Sequence, residues 1–125
     1  MRHPVEVGAD QEAHLVAWLS KRLGTALKIP QLGGIGYSLV GGRLLPGEQG
    51  PVAQFMYQDA QGQRLTLYVR TNREQGRETA FRFAQDGSVR VFYWIDHGLG
   101  LALSGEIEKE ELLRVATTVY QQLNP

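Results

Sequence analysis

The feature that most constrains this chain is a double change of hydrophobic period. Apolar residues recur at helical spacing near the start, alternate at strand spacing through the middle, and return to helical spacing at the end. A helical period gathers apolar groups on one stripe, and a period of two gathers them on one sheet face. Leu15, Trp18, Leu19 and Leu23 make the first stripe. They predict a helix from Gln11 to Leu23, with Asp10 as its cap and Gly24 as its terminator. Lys21 and Arg22 fall in the last turn, where cations suit the helix dipole. Residues 1–9 read as an extended arm with a short strand at Val5-Glu6-Val7, and residues 10–125 as one domain without internal repeats.

Thr25 to Gly36 is a connector containing Pro30 and three glycines. Beyond it the period is two. Tyr37–Leu45 reads as a strand interrupted by Gly41-Gly42, where a bulge or sharp bend is expected. Val52–Gln58, Arg64–Thr71, Thr79–Ala84, Ser88–Asp96 and Leu99–Ser104 read as further strands. Asp86-Gly87 is a two-residue hairpin signal. Asp59-Ala60-Gln61-Gly62 and Asp96-His97-Gly98 suit slightly longer turns. Short turns force antiparallel neighbours, so the middle of the chain is a meander of about five to six strands. A final helix is predicted over Lys109–Leu123, with a stripe of Leu112, Ala116, Val119 and Leu123 and acidic residues in its first turn. Helix, antiparallel sheet and helix together define an α+β domain.

The expected sheet faces differ. Leu65, Leu67 and Val69 oppose Arg64, Thr66, Tyr68 and Arg70, and Leu99, Leu101 and Leu103 oppose Gly100, Ala102 and Ser104. With Val89, Val91, Tyr93 and Ile95 assigned to the apolar face, the second face mixes Tyr68, Arg70, Arg90, Phe92 and Trp94. Aromatic residues interleaved with arginine are enriched at protein interfaces, so these five form a candidate interaction face. Alternatively one helix covers each face, or the rings pack beneath the glycine-rich loops; periodicity does not separate the three arrangements.

Composition narrows the chemistry. Hydrophobic residues are 42% of the chain, enough for a real core and too many for a disordered segment. Thirteen Lys and Arg balance thirteen Asp and Glu, which leaves no net field for nucleic acid or an anionic membrane. The absence of cysteine rules out disulfides, thiolate metal sites and cysteine nucleophiles. No apolar run approaches the roughly 18 residues of a membrane span, and the first residues lack a signal-peptide core. As a complete protein such a chain is expected in the cytoplasm; as a piece of a longer one it carries no such implication.

No set of catalytic or metal-binding residues emerges. His3, His14 and His97 lack the spacings of a zinc site, and Asp96-His97 suits a turn on conformational grounds. Ser104 lacks the glycine that precedes a nucleophile at a strand-to-helix elbow. Gly33-Gly34-Ile35-Gly36 leads into a strand and so presents no helix N-terminus to a phosphate. Glu106, Glu108, Glu110 and Glu111 crowd a helix start as a solvated face. No catalytic residue, cofactor or metal is assigned.

Several stretches carry a resemblance. Tyr37-Ser38-Leu39-Val40-Gly41-Gly42-Arg43-Leu44-Leu45-Pro46 and Gly50-Pro51-Val52-Ala53-Gln54-Phe55-Met56-Tyr57 resemble the C-terminal part of proteobacterial transmembrane anti-sigma factors. So do residues 10–20, Arg64–Tyr68, Phe92-Tyr93-Trp94 and Ala102–Gly105, which takes the likeness over almost the whole chain. The resemblance implies a parent in which a cytoplasmic segment binds an extracytoplasmic-function sigma factor. One transmembrane helix would follow, and the domain read here would sit on the periplasmic side of the inner membrane. Its role would be sensing and protein interaction, without catalysis, through an unnamed periplasmic or membrane partner; a homodimer is compatible with it. Sigma binding belongs to the segment that this sequence lacks. A small-ligand-binding domain, with the molecule held between sheet and glycine-rich loops, and a stand-alone cytoplasmic enzyme are the alternative readings.

Overall fold

The computed structural model describes residues 7–8, 11–48, 50–71 and 78–124. Helix α1 spans Glu12–Leu23, and Gly24 closes it in the left-handed conformation with its N–H on the Ser20 carbonyl, 2.9 Å away. Asp10, expected as the cap, lies outside the described residues. Helix α2 spans Lys109–Leu123, as its stripe predicts. Between them run β2 (Ser38–Leu45), β3 (Val52–Gln58), β4 (Arg64–Thr71), β5 (Arg82–Asp86), β6 (Val89–Asp96) and β7 (Leu99–Gly105). A two-residue β1, Val7–Gly8, adds to one edge. The sheet is antiparallel throughout, in the order β1-β2-β3-β4-β7-β6-β5. The α+β class is therefore the observed one.

The turns explain the order. The β5–β6 loop is Gly87-Ser88, one residue later than Asp86-Gly87, since Asp86 pairs with Val89. Gly87 takes φ +61°, a value the first position of a type II′ hairpin needs. The β6–β7 loop is only His97-Gly98, tighter than expected, with both residues at positive φ. A type I′ turn demands this, and histidine is among the few side chains that tolerate it. Asp59 builds the β3–β4 turn, its Oδ1 accepting the N–H groups of Gln61 and Gln63 at 2.9 and 2.8 Å. β7 then closes back on β4, from Leu65↔Gly105 to Thr71↔Leu99. In β2 the register slips between Leu39 and Gly41, so Val40 forms the bulge expected near the glycine pair. The fifth strand is displaced from Thr79–Ala84 to Arg82–Asp86. Thr79 stays beside the sheet by donating its N–H to the Ile95 carbonyl (3.1 Å).

Both helices cover the same face. α1 lies over β2 and β3, and α2 over β6 and β7. Leu15 and Leu19 from α1 meet Leu112, Val115, Ala116 and Val119 from α2 in one cluster. The sheet contributes Ala53, Phe55, Tyr57, Leu65, Leu67 and Leu103, all at most 1% exposed. The connector fills the space between the helices with Leu27, Ile29 and Leu32. The buried Tyr57 hydroxyl donates to the Pro30 carbonyl at 2.8 Å. Gln31 and Gln122 exchange hydrogen bonds, Gln31 N–H to Gln122 Oε1 at 2.6 Å and Gln122 Nε2 to the Gln31 carbonyl at 2.5 Å. That exchange ties the end of α2 to the connector. Among the described residues no helix is long and apolar enough to cross a membrane.

Candidate functional site

Ladder register decides which side chains share the uncovered face. Leu67, Leu103 and Phe92 are cross-strand neighbours, and so are Val69, Leu101 and Trp94. Phe92 and Trp94 therefore point into the helix-covered core, 4% and 2% exposed. The facing assigned to β6 from its sequence is reversed, and the five-residue face does not assemble. Phe92 packs on Phe83 (centroids 5.1 Å apart). Trp94 packs on Phe81 (4.8 Å), which meets Tyr120 of α2 edge-on at 6.0 Å. Arg90, also on the covered side, donates from Nη1 to the Ile107 carbonyl at 2.8 Å and fixes the β7–α2 link. Only Tyr68 and Arg70 of the five stand on the helix-free face.

That face is built from the alternate residues of six strands. One row crosses it as Arg43, Gln54, Tyr68, Ala102, Tyr93 and Arg82. Its left half is hydrogen-bonded: Arg43 Nε donates to Gln54 Oε1 (2.8 Å), and Gln54 Nε2 donates to the Tyr68 hydroxyl (3.4 Å). Tyr93, the residue that the reversal brings here, is 41% exposed, and Val89 at the start of β6 on the same face is 38% exposed. In the next row Arg70, Gly100 and Ile95 are neighbours. Gly100 has no side chain, and Arg70 lies across it: a Cβ there would come within 3.1 Å of the Arg70 Cζ. The small Ala102 sinks the middle of the sheet between two tyrosines. The resulting open trough, about 300 Å³, is walled by Tyr68, Tyr93, Val52 and Ile95, with Arg70 its one charged lining residue. Among the described residues none of Arg43, Arg64, Arg70 and Arg82 forms an ion pair.

The remaining polar clusters lie elsewhere. Asp96, 4% exposed, accepts from His97 Nδ1 at 2.7 Å and from the Asn124 amide. Glu78 comes within 3.9 Å of the same histidine nitrogen. At the start of α2, Arg114 grips Glu111 with Nε at 2.8 Å and Nη2 at 2.5 Å, and the Tyr37 hydroxyl donates to the same carboxylate at 3.0 Å. The Arg114 hydrogen bond, followed by that from Tyr37, holds the Glu111 carboxyl below its ordinary value. Burial, then the bond to Glu111, pushes the Tyr37 phenol up to about 12. His14 is exposed on α1, and Ser104 is half-buried on the helix-free face.

The fold and this surface together define a class: a two-layer α+β domain whose two described helices cover one sheet face, with a basic and aromatic trough at the centre of the other. Comparison with protein-family models, with curated proteins and with solved structures finds no match.

Proposed function

We propose that this chain is a sensing and protein-interaction domain, and that its working surface is the helix-free face of the sheet. The observation that carries the reading is the exposed Tyr93, set with Tyr68 and Arg70 around a trough that no described residue covers. Tyrosine gives large contact area at little entropic cost and arginine gives directional hydrogen bonds, which suits binding partners rather than transforming them. The resemblance of residues 10–20, 37–46, 50–57 and 64–68 to transmembrane anti-sigma factors supplies the setting: the periplasmic side of the inner membrane. There a partner on the open face would alter the inhibited state of the parent, and with it transcription. Such a signal requires the partner to bind the two states of the parent with different free energies.

The test has two parts. A photo-crosslinking residue at position 93 is expected to capture a partner in cells, and one at the outward Leu113 of α2 is not. Equal capture from both removes the open face as the working surface. Reading the DNA upstream tests the setting separately. An apolar stretch of about 20 codons behind a polar segment supports the anti-sigma reading, and its absence removes that reading.

A second reading has its own observation. A cavity of about 210 Å³ lies between the connector at Thr25–Lys28, Leu123 at the end of α2, and the sheet. A small molecule held there would raise the melting temperature.

A further inference from the structure

We infer that the open face docks an acidic polypeptide segment, with one apolar side chain of that segment seated in the trough between Tyr68 and Tyr93. This rests on the open face being the working surface. Charge carries the choice of partner. The strands place Arg43, Arg64, Arg70 and Arg82 on this face against one acidic strand residue, Asp86. Glu48 and Glu106 stand only at its rim, in the clefts beside Arg70 and Arg64. Glu108, Glu110 and Glu111 lie away from this face, before and within the first turn of α2, which covers the other side of the sheet. A guanidinium offers a fork of donors that matches a carboxylate. Arg70 lies flat on Gly100, at the mouth of the trough, and its one hydrogen bond among the described residues is a 3.4 Å contact to the Thr71 carbonyl. It can swing to a carboxylate without breaking an ion pair among the described residues.

The trough selects the anchor. Its walls mix two aromatic rings with the aliphatic Val52 and Ile95, and Ala102 between the rings leaves depth at the centre. A leucine or phenylalanine fits that lining. A single-stranded nucleic acid fits it less well, because base stacking wants rings lying free on neighbouring strands. Here Tyr68 and Tyr93 sit on strands separated by β7, and Gln54 holds the Tyr68 hydroxyl. An anchor in the trough with carboxylates on either side would meet Arg43 at one end of the central row and Arg82 at the other.

Fluorescence anisotropy on the whole chain tests this with three labelled probes. They are a short peptide alternating Asp or Glu with Leu or Phe, the same peptide with Asn and Gln in place of the acids, and a short oligothymidylate. The acidic peptide is expected to bind at least about tenfold tighter than its neutral counterpart, and to weaken as salt rises from about 50 to about 500 mM. Arg70→Gln and Arg43→Gln are each expected to weaken it by about fivefold, while Arg22→Gln on the exposed side of α1 leaves it unchanged. Ala102→Trp, which fills the trough, is expected to abolish it with the folded circular-dichroism spectrum kept. Equal binding of the neutral peptide, or tighter binding of the oligothymidylate, overturns the proposal. So does self-association through this face, seen in sedimentation and lost in Ala102→Trp. If Tyr68→Ala and Tyr93→Ala weaken binding and the arginine variants do not, the partner is not acidic and the functional reading stands. If none of these variants changes binding, both fall.

Discussion

Gly42 sits where β2 passes beneath α1, and its missing side chain sets how closely helix and sheet approach. A Cβ there would meet the Gln54 carbonyl and a Leu15 methyl at 3.0 Å and the Phe55 ring at 3.1 Å. The carbonyl belongs to a paired strand and cannot yield. Gly42→Ala is therefore expected to lower unfolding free energy by about 1–2 kcal/mol in urea, overpacking exceeding the gain from a stiffer unfolded chain. Gly33→Ala is the opposite case. Nothing lies within 4 Å of its Cβ position and its φ is not positive, so a neutral or slightly stabilising effect is expected. The sequence places one glycine in a connector and the other in a strand; how tightly each is packed comes from its neighbours. The Tyr37–Glu111–Arg114 group makes a prediction in pH. Glu111 has a depressed folded value, so its contribution is present above its ordinary 4.5 and is lost as pH falls through the folded value. Tyr37 is the reverse: its contribution is whole below 10.0 and is lost as pH rises through about 12. Glu111→Gln is expected to flatten the acid limb of a stability-against-pH curve and Tyr37→Phe the alkaline limb. Unchanged limbs would show that these groups titrate alike in the folded and the unfolded chain.

α2 is the element whose two sides are most sharply divided. Leu112 is fully buried beneath it and Leu113, its neighbour, is 40% exposed. Leu112→Ala is expected to cost about 2–5 kcal/mol, and Leu113→Ala no more than about 0.5 kcal/mol, in the same denaturant titration. This helix was legible in the sequence because its stripe is bounded by polar residues on every turn. So was the facing of β4 and β7, where leucine and valine alternate with arginine, threonine, glycine and serine. β6 was not. From Val91 to Ile95 every residue is apolar or aromatic, so alternation within the strand says nothing about direction. The pairing of Phe92 with Leu103 settles it, a contact that the tight His97-Gly98 turn enforces. That reversal of one strand put Arg90, Phe92 and Trp94 in the candidate surface in place of Tyr93. The connector misled differently: its glycines and proline read as a loop, yet Leu27, Ile29 and Leu32 plug the core.

In the whole molecule, stability is concentrated on one side of the sheet. Tyr68→Ala and Tyr93→Ala, each made alone, are expected to shift the melting temperature by no more than a few degrees, since neither ring joins the core cluster. Phe92→Ala, one residue away on the same strand, is expected to cost about 3–5 kcal/mol. A calorimetric scan of the three variants checks the contrast; a large loss from Tyr93→Ala would mean that the open face helps hold the fold together.

Along β4 and β6, then, neighbouring letters of the sequence answer to different masters. Leu65, Leu67, Val69, Phe92 and Trp94 are held by the interior, while Thr66, Tyr68, Arg70, Tyr93 and Ile95 face outward and owe the interior little. A lineage of such domains can rewrite the second set without disturbing the first. Descendants would keep one scaffold while changing allegiance, and related chains would share an alternating pattern long after their outward residues had ceased to resemble one another.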